Sequence, residues 1–311
     1  MDEAAAAGWE TLLTRVSADP ADAGARAEML TWLGGAGSGV EPQAATAALL
    51  AVLEGIEAPA VEIVTALLKA GAGANGLVAD DDGDGRTGDD GPLRLPLQLA
   101  ALHGSVELVR VLVAGGADVC RAASFGLTAL HDAASCNYTT ARQHKKYAAV
   151  AEELLAAGAE VDAADETGAT PLVVACRAGS HLLAGTLLSH GADVGGGSHS
   201  SAHIPLIAAL LPRATLVERQ TLVKLLVRKC ADVNARRRDP VLPFQGSTPL
   251  ECAIFAGHID AAEFLAARGA EMAPNSPARK LVWPDLARIL AAEPGDRRAV
   301  LADVRGRKSQ T

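Results

Sequence analysis

The chain has 311 residues and carries 28 Lys+Arg against 37 Asp+Glu, a net charge of −9; 49% of its residues are hydrophobic but only 3% are aromatic. A chain of this length can bury about three quarters of its unfolded surface, and the shortage of rings favours a core of close-packed Ala- and Leu-rich helices. The negative charge disfavours nucleic acid as a partner, and the longest clean apolar run, residues 47–53, ends at Glu54, well short of the ~18 residues of a membrane span, so no membrane insertion is expected.

The N-terminus, Met1-Asp2-Glu3, lacks the basic start of a secretory signal. Residues 8–16 and 22–33 read as two helices with Trp9 and Trp32 on apolar faces, and Gly34-Gly35-Ala36-Gly37-Ser38-Gly39 reads as a flexible turn. Residues 1–40 are therefore expected to form an N-terminal helical cap.

From residue 41 the chain repeats itself. A short pattern recurs as Gly116-Ala117-Asp118-Val119, Gly158-Ala159-Glu160-Val161, Gly191-Ala192-Asp193-Val194, Cys230-Ala231-Asp232-Val233 and Gly269-Ala270-Glu271-Met272, with a weaker copy at Gly71-Ala72-Gly73-Ala74-Asn75. Each copy follows an apolar stretch of helical spacing, so its glycine reads as the left-handed residue just past a helix end. A second pattern lies upstream of the copies: Leu95-Pro96-Leu97, Thr128-Ala129-Leu130-His131, Thr170-Pro171-Leu172, Ile204-Pro205-Leu206 and Thr248-Pro249-Leu250. Thr can cap a helix start, and Pro suits the next position, where a missing N–H costs nothing. Gly104, Gly179 and Gly257 each follow the corresponding Pro by eight residues and predict a first helix of about two turns. Each unit thus reads as cap, short helix, Gly turn, second helix, Gly stop and extended loop.

These linked motifs resemble the ankyrin repeat family, with its 33-residue period and Thr-Pro-Leu-His start. The resemblance covers roughly residues 44–273 and is best over 165–197. It implies an all-α solenoid of about six helix–turn–helix units with hairpin-like loops and helical caps. The expected organisation is an N-terminal cap to residue 40, repeats over 41–273, a capping helix within 274–303 built on Val282-Trp283-Pro284, and a disordered tail over 304–311. Steps of 45, 42, 33, 39 and 39 residues between copies place insertions after Asn75, around residues 136–147, near 211–219 and after Ala235. Leu95 and Ile204 replace the capping Thr, which leaves those two helix starts less defined.

No nucleotide, hydrolase or zinc-protease motif is present, and no enzyme activity, cofactor, metal or small-molecule substrate is expected. The acidic loop over residues 80–90 begins like a calcium loop at Asp80, Asp82 and Asp84, but its twelfth position is Gly91 rather than a bidentate Glu; a solvated insertion is the better reading. His199 and His203 lack further ligands. His131 reads as a structural hydrogen bonder, and Cys176 and Cys252 as inert core positions. The basic clusters Arg236-Arg237-Arg238 and Arg297, Arg298, Arg305, Arg307, Lys308 read as solvated surface. Five widely spaced cysteines, never in a CxxC pair, point to a reduced intracellular compartment, cytoplasmic or nuclear.

The resemblance implies binding of a protein partner on a concave face, through loop tips and first helices. The matching positions hold Arg94, Leu102, Phe125, Leu127, Glu166, Arg177, His203, Phe244 and Phe255. Three of the four phenylalanines fall there, and aromatics beside Arg are the composition of an interface hot spot. The expected role is an adaptor or scaffold; the alternative is a substrate-recruiting subunit of a larger enzyme assembly such as a ubiquitin ligase.

Overall fold

The computed structural model describes residues 3–19, 22–34, 41–54, 61–76, 94–135, 140–196, 203–210, 216–236 and 247–308. All regular structure among them is helical, with no strand. The chain divides into two compact units: Met1–Ala133 with Lys145–Glu160, and Ala134–His144 with Val161–Thr311.

The first unit opens with α1 (Glu3–Ala18) and α2 (Ala23–Gly34). Asp22 caps α2 by accepting from the N–H of Ala25 at 2.9 Å; that bond, then Arg15, holds its carboxyl below the usual range. Trp9 and Trp32 stack with centroids 4.7 Å apart, so the two rings meet as their apolar placement predicts. Behind them come α3 (Pro42–Glu54), α4 (Val61–Lys69), α5 (Pro96–His103) and α6 (Val106–Ala114). First helices pack on first helices (α3 on α5) and second on second (α4 on α6), while α1 and α2 cover α3 and α4. The helices α7 (Ala129–Ser135) and α8 (Ala141–Ala156) follow.

In the second unit, α9 (Pro171–Ala178), α11 (Pro205–Ala208) and α13 (Pro249–Phe255) form one row, and α10 (His181–Ser189), α12 (Leu216–Arg228) and α14 (Ile259–Ala266) the other. A 3-10 turn (Pro277–Leu281), α15 (Pro284–Ala291) and α16 (Arg297–Lys308) close it against α13 and α14. Trp283 ties this end down by donating its indole N–H to Glu263 at 3.2 Å. The closing region is therefore two helices. The second extends into the tail expected to be disordered from residue 304, because Leu301 and Val304 are buried on its inner face.

The core repeats with the sequence. Every second helix buries three residues in the same register before its Gly or Cys: Ile63, Val64, Leu67; Leu108, Val109, Leu112; Val150, Ala151, Leu154; Leu183, Ala184, Leu187; Leu222, Val223, Leu226; and Ala261, Ala262, Leu265. This spacing of i, i+1 and i+4 puts them on one helical stripe. The last leucine of each set also has its carbonyl taken, by the N–H of Ala72, Ala117, Ala159, Ala192, Ala231 or Ala270, in the bond that ends a helix through a left-handed residue.

That left-handed residue is glycine five times, with φ between 89° and 97°, and Cys230 once, with φ 67°. A side chain in this region is disfavoured by about 1–2 kcal/mol, partly offset by the extra unfolded freedom of glycine. Cys230→Gly is expected to stabilise the chain by roughly 0.5–1 kcal/mol, read as a higher thermal midpoint; a lower one would mean that the exposed thiol makes a compensating contact.

Four loops are stapled to the next by a side chain at the end of the short pattern, Asn75, or just after it, Cys120, Asp162 and Asn234. Asn75 donates to Gly116 O at 3.1 Å and accepts from Asp118 N at 2.7 Å. Asn234 does the same to Gly269 O and Glu271 N, at 3.2 and 2.8 Å. Asp162 can only accept, from Asp193 N at 3.0 Å, and the Cys120 thiol only donates, to Gly158 O at 3.4 Å. A carboxamide is the one side chain among these that satisfies both backbone groups.

The insertion around residues 136–147 becomes helix in part. Thr140 and Gln143 form a reciprocal cap: Gln143 N donates to Thr140 Oγ1 at 3.3 Å, and Thr140 N to Gln143 Oε1 at 3.0 Å. This Thr-x-x-Gln box starts α8 early, and Tyr147 then donates its hydroxyl to Leu102 O at 2.7 Å.

Candidate functional site

Three of the first helices, α5, α7 and α13, are held at their start by the residue at the third helical position. Glu251 accepts from Thr248 N at 2.8 Å with one carboxylate oxygen and from Ala273 N at 2.8 Å with the other, while its own N–H donates to Thr248 Oγ1 at 3.4 Å. His131 occupies the same place in α7: fully buried, its Nδ1 lies 2.9 Å from Thr128 Oγ1, the structural role expected of it. Gln98 rescues α5, whose cap is Leu95, by accepting from Leu95 N at 2.9 Å and donating to Leu127 O. The helix start without Thr is thus held by a side chain three residues on. At α11, where Ile204 and Ile207 offer no polar group, the helix is only four residues long.

Four of the nine expected contact residues lie in the first unit. Arg94 is exposed just before α5, and Leu102 is half-buried near its end. Leu127 is half-buried, its carbonyl engaged by Gln98 and by Ala123 N. Phe125 stands out: it is 60% exposed and sits at φ 64°, ψ 19°. With Gly126 at φ 70° and Leu127 N donating to Ser124 O at 3.4 Å, residues 124–127 make a type I′ turn, whose first central position favours Asn, Asp or Gly. A bulky aromatic there is a backbone outlier.

The corresponding tip in the second unit shows the relaxed alternative. Asp165 Oδ1 accepts from Thr167 N, Thr167 Oγ1 and Ala169 N at 2.8, 2.6 and 2.9 Å, and the left-handed residue is Gly168, at φ 81°. Ala123 replaces that aspartate and supplies no acceptor. Glu166 is exposed on this tip; Arg177, His203 and Phe255 are half-buried. Phe244 lies outside the described residues, as do His199 and the acidic loop over 80–90.

Two histidines outside the expected contact set do structural work. His103, beside Leu102 on α5, puts Nε2 2.6 Å from Leu53 O. His258 places Nε2 3.1 Å from Leu210 O and Nδ1 3.1 Å from the Arg219 guanidinium; with Arg219 donating, Nδ1 must accept and Nε2 must carry the proton. Burial and then the Arg219 charge hold the His258 pKa below its usual value. Arg297, expected to be solvated, is only 9% exposed. Phe264, on α14, is half-buried under the Arg268 guanidinium at 4.9 Å.

Burial pushes the Cys176 thiol far up, away from thiolate at neutral pH. Among the described residues no group of His, Cys, Asp or Glu is arranged to hold a metal ion, and no described helix is long and apolar enough to cross a membrane.

The repeated two-helix units, glycine stops and hairpin tips coincide with a family match: the family described as ankyrin repeats (3 copies) matches residues 97–198. Residues 97–198 are ankyrin repeats. The mouse protein named "Ankyrin repeat and SOCS box protein 16" is 40% identical over 119 residues, covering 37% of this chain and 25% of its own length; the chain thus spans about a quarter of that relative. The human ASB11 ankyrin repeat domain is 26% identical in a superposition with TM-score 0.46, over 57% of this chain and 71% of that one. Ankyrin repeats are a protein–protein interaction module, displaying loop tips and helix faces on a stacked scaffold.

Proposed function

We propose that this chain is a non-catalytic, intracellular adaptor that holds a partner protein through its ankyrin tips and first helices. Phe125 carries the reading. Strained backbone persists where function requires it, and a large ring left 60% exposed on such a turn serves a partner better than it serves the fold. On the first unit Arg94 supplies a charge-assisted donor for carboxylates, with Leu102 and Leu127 as further contacts; on the second Arg177 supplies another and Glu166 selects by charge, with His203 and Phe255 as further contacts and Phe244 expected among them. A prefolded scaffold loses little conformational entropy on binding.

The test is Phe125→Asn, which suits the I′ turn. The variant is expected to gain about 1 kcal/mol in stability by thermal denaturation, yet to lose the partners that the wild type captures from native lysate. Combining it with Phe244→Ala and Phe255→Ala is expected to abolish capture while helical circular dichroism is retained. Undiminished capture would reject this face.

A second reading, recruitment of substrates to a larger assembly such as a ubiquitin ligase, is favoured by the mouse relative, whose name pairs ankyrin repeats with a SOCS box. Copurification of ligase subunits with the full chain would support it, and their absence from captured material would count against it.

A further inference from the structure

The second unit contains a cavity of about 430 Å³ between the loop after α14 and the closing helices, a size that accepts a small organic molecule. Two arginines line it, Arg279 and Arg297, together with Glu271 and the apolar side chains of Met272, Val282 and Leu290. Arg297 is 9% exposed; its Nε donates to Ala292 O at 3.1 Å and its Nη2 to Leu290 O at 3.4 Å, while the buried Nη1 meets no acceptor. Arg279 is exposed and uses Nε on Ala273 O at 3.1 Å. Neither arginine belongs to an ion pair among the described residues.

A buried guanidinium with an unanswered donor and no ion-pair partner is unfavourable unless an anion meets it. The fork geometry of arginine matches a carboxylate or a phosphate, so charge must decide between them. Glu271 sets one negative against two positive groups on the wall. The remainder of one positive charge suits a monoanion and penalises a dianion. The apolar side of the cavity suits a hydrocarbon body.

We propose that this cavity binds a monoanionic carboxylate carried on a short aliphatic chain, with Arg279 and Arg297 at the carboxylate and Met272, Val282 and Leu290 around the chain. This ligand is distinct from the protein partner proposed above and uses none of its contact residues.

Hexanoate, hexanamide and inorganic phosphate are the probes, titrated into the full chain and followed by nuclear magnetic resonance. Saturable hexanoate shifts around residues 270–297 are expected, with hexanamide at least tenfold weaker, since charge-assisted bonds are about twice as strong as neutral ones. Arg279→Ala, at an exposed site, is expected to keep the fold and weaken hexanoate roughly tenfold; Arg297→Gln is expected to weaken it at least as much. If Arg297→Gln unfolds the cap, Arg279→Ala decides alone. A peptide ending in a free-acid leucine distinguishes sources: competition with hexanoate assigns the carboxylate to a polypeptide end, and its failure to compete assigns it to a free acid. No saturable hexanoate binding, equal binding of hexanamide, displacement by equimolar phosphate, or indifference to Arg279→Ala would each overturn the proposal.

Discussion

Replacing Gly196 by Ala is expected to destabilise the second unit by at least about 3 kcal/mol, the sum of a left-handed side chain and a backbone collision. Gly196 ends the turn in which its N–H donates to Asp193 O at 3.0 Å, with φ at +94°. An added Cβ would sit 2.2 Å from the carbonyl oxygen of His203 and 2.9 Å from Pro205 Cδ, and neither belongs to a flexible side-chain end. Gly191→Ala is the control. It shares the left-handed backbone, at φ +89°, but an added Cβ meets nothing within 4 Å, so about 1–2 kcal/mol is expected. Gly185→Ala, inside α10 and equally unobstructed, should stabilise by roughly 0.5–1 kcal/mol through helix propensity. Thermal or urea denaturation of the three variants checks the order; equal losses at Gly196 and Gly191 would refute the collision.

Asp132 is expected to make the first unit less stable as pH rises. Its side chain is 3% exposed on α7, and burial raises its pKa from 3.8 to about 6, against the opposing pull of Arg94. A carboxyl whose folded pKa lies above its unfolded one contributes stability that is complete below about pH 4 and lost as pH rises through about 6. The loss amounts to roughly 2–3 kcal/mol by pH 8. Asp132→Asn removes the titration, so its thermal midpoint should exceed that of the wild type by a few degrees near pH 8 and by little near pH 4. A constant difference across that range would mean the carboxyl titrates normally. His258 acts in the opposite sense in the second unit. Its pKa is lowered, so its contribution is complete above the usual imidazole range and is lost as pH falls through the folded value, when the proton on Nδ1 would face the Arg219 guanidinium.

These effects divide between what neighbouring residues dictate and what distant ones impose. The stacked helix pairs were legible because their signals are local and repeated: Thr-Pro starts, glycine at the left-handed stop, and apolar residues at i, i+1 and i+4. The early start of α8 was equally local, in Thr140 and Gln143, but a single unrepeated box inside an insertion carries less weight than a pattern that recurs.

The candidate site was legible as positions through the resemblance, which puts Phe125 at a tip and Leu102 near a helix end. Its strain was not. A φ of +64° at Phe125 goes with Ala123, which supplies no acceptor where Asp165 anchors the matching tip. By itself the sequence determined that this chain builds tandem helical pairs with a glycine-based stop, because those choices rest on contacts a few residues apart. Only the tertiary structure decided that Arg297 is buried against a cavity and that His103 and His258 cap distant carbonyls, because desolvation and hydrogen bonding depend on groups brought near by folding.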